Sequence, residues 1–169
     1  MKKQIFALIL AALPVFASAA AVNEYPNDPV VVDLADKAAL QDGAKTFANY
    51  RMGCHSAKLQ RYERVATDRG TPTKLMMEKL RLTGAKIGEH MKIGMRPQDA
   101  KVWFGAAPPD LTLVARVRGN DWLYTYLRTF YEDPTRPWGV NNMAFPAVGM
   151  PNVLADLQGR QVIGCKQVQ

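Results

Sequence analysis

Two adjacent side chains form the most reactive pairing in the chain: the thiol of Cys54 and the imidazole of His55, in the stretch Tyr50-Arg51-Met52-Gly53-Cys54-His55. A cysteine followed at once by histidine is the second half of a C-x-x-C-H haem-attachment motif, in which thiols form thioethers with haem vinyl groups and the histidine becomes the proximal iron ligand. The first half is missing. Arg51 stands where the motif wants its other cysteine, so at most one thioether can form. Two other readings compete: a free cysteine packed beside a satisfied histidine, and a disulfide between Cys54 and Cys165. If haem takes Cys54, Cys165 is left odd.

Candidate partners for an iron on the other side are soft or imidazole donors. Of the eight methionines, those at helical spacing, such as Met76 and Met77, read as core filler. Met95, in Gly94-Met95-Arg96-Pro97, and Met150, in Gly149-Met150-Pro151, both lie in loops between Gly and Pro. His90 is the only other histidine, and a single histidine in a polar segment is most often a surface residue.

These groups must be positioned by helices and loops. A first helix is expected to begin near Asp33 or Asp36, either of which can cap it, with Leu40, Ala44, Phe47 and Ala48 as its apolar stripe. That stripe delivers Cys54 and His55 to a helix end. Thr71-Pro72 reads as a cap followed by Pro at the first helical position, opening a helix through Leu75, Met76 and Leu80 that Gly84 can end. The segment 84–96 reads as irregular surface, and Pro97 opens a short helix through Trp103 and Phe104 that Gly105 stops.

Gly105-Ala106-Ala107-Pro108-Pro109-Asp110 must be extended, because consecutive prolines remove donors and push their predecessors out of the helical region. Residues 111–117 read as a short helix. Asn120 then caps the clearest helix, with Trp122, Leu123, Tyr126, Leu127 and Phe130 on one face and Pro134 beyond its end. Residues 134–151 read as a long loop rich in Pro, Gly and apolar residues, packed against something, and residues 152–157 as a last short helix. No strand pattern is convincing, and the expected class is all-α with long irregular loops.

At 169 residues, with 48% hydrophobic and 9% aromatic content, the chain suits one globular domain rather than a disordered segment. The first nineteen residues stand apart. Lys2 and Lys3, the apolar run 5–16 and Ala17-Ser18-Ala19 have the layout of a secretory signal peptide, which leaves residues 20–169 as the domain and 20–32 as an extended lead-in. The apolar run is too short to span a bilayer, and no later segment is long enough to do so. The scattered Lys and Arg, with a formal charge of +7 overall, carry no nucleic-acid footprint.

The order of helix, Cys-His, Pro-rich segment, aromatic helix and Gly-Met-Pro loop carries a resemblance. Over residues 36–162 the chain resembles the haem domain of cytochrome c1, of a proteobacterial type. The resemblance rests on Asn-Tyr-Arg-Met-Gly-Cys-His-Ser at 49–56, Gly-Ala-Ala-Pro-Pro-Asp-Leu at 105–111 and Phe-Pro-Ala-Val-Gly-Met-Pro-Asn at 145–152. It implies one haem c per chain, attached through Cys54 by a single thioether. His55 would be the proximal iron ligand and Met150 the distal one, a choice over Met95 that the long apolar loop around Met150 favours. Pro108, Pro109 and Leu111 would pack the ring, with Trp122 as a further wall or propionate donor. Arg118 matches the family's propionate-pairing arginine, and Arg116 is the neighbour most easily confused with it.

The resemblance further implies electron transfer within a cytochrome bc1 complex, beside a cytochrome b subunit at the periplasmic face of the inner membrane. Electrons would pass from a Rieske iron-sulfur protein to a soluble cytochrome c, with no organic catalysis asked of any side chain. Two departures matter. Arg51 places a guanidinium near an apolar vinyl edge, where it must snorkel to water or weaken the pocket, and the family's carboxy-terminal anchor helix is not expected in a chain that stops at Gln169. Two alternatives stay open: a ligand-binding or peroxidatic c-type haem protein with a labile Met ligand, and a defective remnant that holds no haem.

Overall fold

The computed structural model describes residues 25–80 and 84–164. The expected signal segment and Cys165 lie outside the described residues. The first helix, α1 (Lys37–Tyr50), takes the second of its two candidate caps: the Asp36 carboxylate accepts the Ala39 N–H at 3.0 Å. Its stripe buries Ala48 and packs Ala44 and Phe47 against the main apolar cluster. The chain leaves α1 in a tight turn that stays hydrogen-bonded to it, with the Arg51 and Met52 N–H groups both donating to the Phe47 carbonyl.

Two short antiparallel ladders stand where no strand was expected, so the protein is predominantly helical rather than purely so. The first pairs β1 (Ala57–Arg61) with β2 (His90–Met91), with Ala57 opposite Met91 and an irregularity before the Arg61–His90 pair. The segment 84–96 is therefore not simply surface: Met91 is buried, and Ile87 packs on the core. A helix the sequence reading passed over, α2 (Tyr62–Asp68), buries Tyr62, Val65 and Ala66 at i, i+3 and i+4. The next, α3 (Thr73–Lys79), has Pro72 rather than Thr71 at its cap position. Thr71 is instead buried, its N–H donating to the Ala66 carbonyl. Tyr62, Met76 and Met91 join Ala48 and Met52 in this first core.

Pro97 and Gly105 bound α4 (Pro97–Phe104) as predicted, Gly105 taking the left-handed conformation (φ 78°) that ends the helix without a Cβ clash. After the extended Pro-Pro segment come α5 (Val114–Arg118) and α6 (Asn120–Arg128). Asn120 is the first helical residue of α6 rather than its cap, a position that falls to Gly119. Phe130 is not on the helix either: it opens β3 (Phe130–Glu132), which pairs with β4 (Val140–Asn142) inside the predicted loop, Phe130 lying opposite Asn142. A final turn of helix, α7 (Ala155–Gln158), follows.

Two sets of hydrogen bonds join these parts. The 108–112 segment is laid along the start of β1, with Leu111 N–H donating to the Ser56 carbonyl at 2.9 Å and Lys58 N–H to Asp110 Oδ2 at 2.7 Å. The lead-in is fastened to α6, where the fully buried Thr125 hydroxyl oxygen accepts the Asp28 N–H at 2.7 Å. Among the described residues no helix is long and apolar enough to cross a membrane.

Candidate functional site

His55 is buried at the end of the turn that follows α1, held there by its own N–H donating to the Arg51 carbonyl at 2.9 Å. Its Nδ1 lies 2.7 Å from the Pro109 carbonyl oxygen. A carbonyl can only accept, so Nδ1 carries the proton and Nε2 keeps its lone pair. Metal-binding histidines use this arrangement to fix the tautomer and raise the basicity of the ligating nitrogen. Burial, and the nearby Arg51 charge, hold the imidazolium below its ordinary pKa against the opposing pull of the Pro109 carbonyl and Asp110. The ring is thus kept neutral and available near neutral pH.

The Pro109 carbonyl is itself positioned. Asp110 accepts the Lys58 N–H through one oxygen, and the Thr112 N–H (3.1 Å) and hydroxyl (2.6 Å) through the other. Burial pushes the Asp110 carboxyl up, but these bonds outweigh it and hold the group below its usual pKa. The extended geometry forced by Pro108 and Pro109 presents the carbonyl to His55. Pro108 and Leu111 are half-buried here, while the Pro109 ring is exposed and contributes through its backbone.

Cys54 sits one residue before His55, half-buried and unpaired, the one cysteine among the described residues. Its proposed disulfide partner, Cys165, lies outside them. Of the two outcomes expected for Arg51, the structure excludes the first: it does not snorkel. It is buried at 9% exposure, and its Nη1 donates to Met150 Sδ at 3.1 Å across a separation of 99 residues. Burial lowers the guanidinium pKa, partly offset by Tyr126. Tyr126 Oη is a second donor to the same sulfur, at 3.7 Å, and burial raises its own pKa. Met150 is therefore the loop methionine whose sulfur reaches the Cys54-His55 turn. Met95 is half-buried between β2 and α4, and His90 lies in β2 opposite Arg61.

Behind the sulfur runs a stack. Trp122 lies nearly parallel to Tyr126 at 5.0 Å between ring centroids, and the exposed Arg118 guanidinium sits 4.9 Å over the Trp122 ring. Phe145 meets both Trp122 and Tyr126 edge-on. Arg116 is exposed on α5. The loop carrying Met150 is shaped by Asn142, which is buried. Its amide donates to the Tyr126 carbonyl at 2.7 Å, and its oxygen accepts the Phe145 N–H at 2.9 Å. Ala147 takes a left-handed conformation (φ 60°) there, its N–H held by Asn141 Oδ1.

The sequence reading missed Tyr126 as a sulfur contact and Asn142 as the loop's anchor. Tyr126 was legible only as a member of an apolar helix face, and nothing local marked Asn142. As a donor set, the free Cys54 thiol, the His55 Nε2 lone pair and the Met150 thioether fit a haem c held by one thioether, with Arg51 occupying the place of the second thiol.

No protein-family model matches the chain. Among curated proteins, it is 49% identical over 161 residues to cytochrome c1 of Allochromatium vinosum, a match covering 95% of this chain and 66% of that protein. It is also 44% identical over 158 residues to the ammonia monooxygenase gamma subunit of Nitrosomonas europaea, covering 94% of this chain and 67% of that one. The chain spans about two thirds of the length of each relative. Taken with the Cys54-His55 turn and the Met150 loop, identity at this level over nearly the whole chain establishes that the protein belongs to the cytochrome c1 family.

Proposed function

We propose that the chain is an electron-transfer haem protein, carrying one haem c attached through Cys54 by a single thioether, with His55 and Met150 as its iron ligands. The observation that carries this is the His55 Nδ1–Pro109 carbonyl bond, which leaves Nε2 of a buried imidazole unprotonated. Bound haem c would supply a one-electron couple, with a Met ligand favouring the ferrous state relative to a second His. The protein's own part is to hold the imidazole in one tautomer, present the thioether from the 143–150 loop, and back that sulfur with the rings of Trp122, Tyr126 and Phe145. Arg118, exposed over Trp122, would meet a propionate. Pro108 and Leu111 line the same segment as the His55 acceptor.

The partners proposed from the family are a Rieske iron-sulfur protein as donor, a soluble cytochrome c as acceptor, and a cytochrome b subunit within a bc1 complex at the periplasmic side of the membrane. Residues 1–19 are proposed as the export signal that brings residues 20–169 there. The test is the exported full-length protein isolated without added haem. Its mass after acid denaturation should equal the polypeptide plus one haem, and its reduced pyridine adduct should absorb to the red of a two-thioether cytochrome. Release of free haem into acid acetone would refute covalent attachment at Cys54.

A further inference from the structure

Ala147, in the loop that carries Met150, has both of its backbone polar groups held by side chains of the β3–β4 hairpin. Asn141 Oδ1 accepts its N–H at 2.9 Å, and Arg136 Nη2 donates to its carbonyl at 2.9 Å. Among the described residues Ala147 is the one non-glycine with a positive φ, 60°, a conformation that alanine keeps only where its surroundings impose it. The Asn141 amide is itself oriented: its Nδ2 donates to Asp133 Oδ2 at 3.1 Å, which leaves Oδ1 for the loop. Hydrogen bonds from Thr135 and Asn141 hold the Asp133 carboxyl below its ordinary pKa, so it stays an acceptor at neutral pH. Trp138, in the same hairpin turn, meets Phe104 of α4 at 5.7 Å between ring centroids. Arg136 is half-buried, and its Nε is buried with no hydrogen-bond partner. An apolar side chain would not carry that cost. What the guanidinium returns for it is the bond to the loop. None of these contacts involves the Met150 side chain.

We propose that Arg136 is a positioning residue for the distal iron ligand: from the hairpin turn it holds the Ala147 carbonyl and, with Asn141 on the Ala147 N–H, fixes the left-handed turn that aims Met150. The inference rests on the reading of Met150 as that ligand. It deepens the reading by naming the side chains that set the ligand's direction from outside the site. A residue released from the left-handed region reverses the local course of the chain, and Met150 follows Ala147 after only Val148 and Gly149. Val148 is buried, so it anchors the loop without choosing the direction in which the chain leaves Ala147. The Arg136 guanidinium brings a charge-assisted donor to a single carbonyl, the strong kind of hydrogen bond that can hold such a turn.

The experiment compares Arg136→Leu, Arg136→Lys and Met150→Leu with the unmodified, exported, haem-bearing full chain, covalent haem being established first by mass. The readouts are the ferric near-infrared sulfur-to-iron band, the reduction potential and the urea unfolding midpoint. Losing one charge-assisted hydrogen bond shifts the balance between bound and released sulfur by about tenfold, so Arg136→Leu should lose about half of the band or more and its potential should fall. Arg136→Lys keeps a cationic donor and should recover most of both. A side chain that merely packs would move the unfolding midpoint and leave the band and the potential where they were. Where Arg136→Leu gives no holoprotein, Arg136→Gln, polar but too short for the Ala147 carbonyl, carries the same expectation. An unchanged band and potential in Arg136→Leu or Arg136→Gln, or an Arg136→Lys no better than Arg136→Leu, overturns this inference. If Met150→Leu abolishes the band in that same experiment, the ligand reading stands without it. A band that survives Met150→Leu overturns the ligand reading and this inference with it.

Discussion

Asn142 offers the sharpest test of how the Met150 loop is held. Asn142→Ala removes the donor to the Tyr126 carbonyl and the acceptor of the Phe145 N–H, at a residue only 1% exposed. The Thr129 hydroxyl, 3.3 Å from Asn142 Oδ1, loses little, because it already donates to the Thr125 carbonyl at 2.8 Å. Leaving a buried donor or acceptor unmet costs roughly 1–3 kcal/mol each. Water can reach part of the Phe145 side, so the expected loss is about 2–4 kcal/mol. At about 2–4 °C per kcal/mol for a protein of this length, the melting temperature should fall by roughly 5–15 °C. Urea unfolding and thermal melting of the haem-bearing protein measure the loss. The ferric near-infrared band should weaken in the same variant, since the loop presents Met150. A loss below about 1 kcal/mol with the band intact would mean that the aromatic cluster alone holds the loop, and would refute the reasoning.

Three further outcomes are expected. Met150→Leu should abolish the near-infrared band, lower the reduction potential and open the ferrous iron to carbon monoxide, whereas Met95→Leu should do none of these. The opposite pattern would transfer the ligand role to Met95. Arg51→Cys should restore the two-cysteine motif: the pyridine adduct should move to the blue and the yield of holoprotein should rise, because a second tether reduces the freedom lost on holding haem and removes a buried charge. An unchanged adduct would show that position 51 does not face the haem edge. Because hydrogen bonds hold the folded Asp110 carboxyl below its ordinary value of 3.8, its stabilisation is complete above that pH and is lost as pH falls through the lower folded value. Acid unfolding of Asp110→Asn should accordingly show a shallower slope below about pH 4, and an identical slope would remove Asp110 from the support of the His55 acceptor.

Several features followed from local sequence alone. Asp36 capping a helix with apolar residues at 40, 44, 47 and 48, Pro97 and Gly105 bracketing another, and the extended Pro108-Pro109 segment are each written within a few residues, because caps, prolines and helical periodicity act over a single turn. The Cys54-His55 pair at the end of α1, and the three stretches that carry the family resemblance, were legible in the same way. The two ladders were not. Strands of two to five residues are too short to show an alternating pattern, so Phe130 read as helix and Met91 as surface until their partners were known.

The chemistry of the site belonged almost wholly to tertiary structure. The Pro109 carbonyl that fixes the His55 tautomer lies 54 residues away, and the sulfur that Arg51 meets lies 99 residues away. No propensity or spacing encodes such contacts. Sequence placed an arginine where a cysteine was wanted and left its charge two outcomes, to reach water or to weaken the pocket. The fold excluded the first, because the Met150 loop, anchored by Asn142 and backed by Tyr126, closes over the guanidinium and offers it a sulfur in place of solvent.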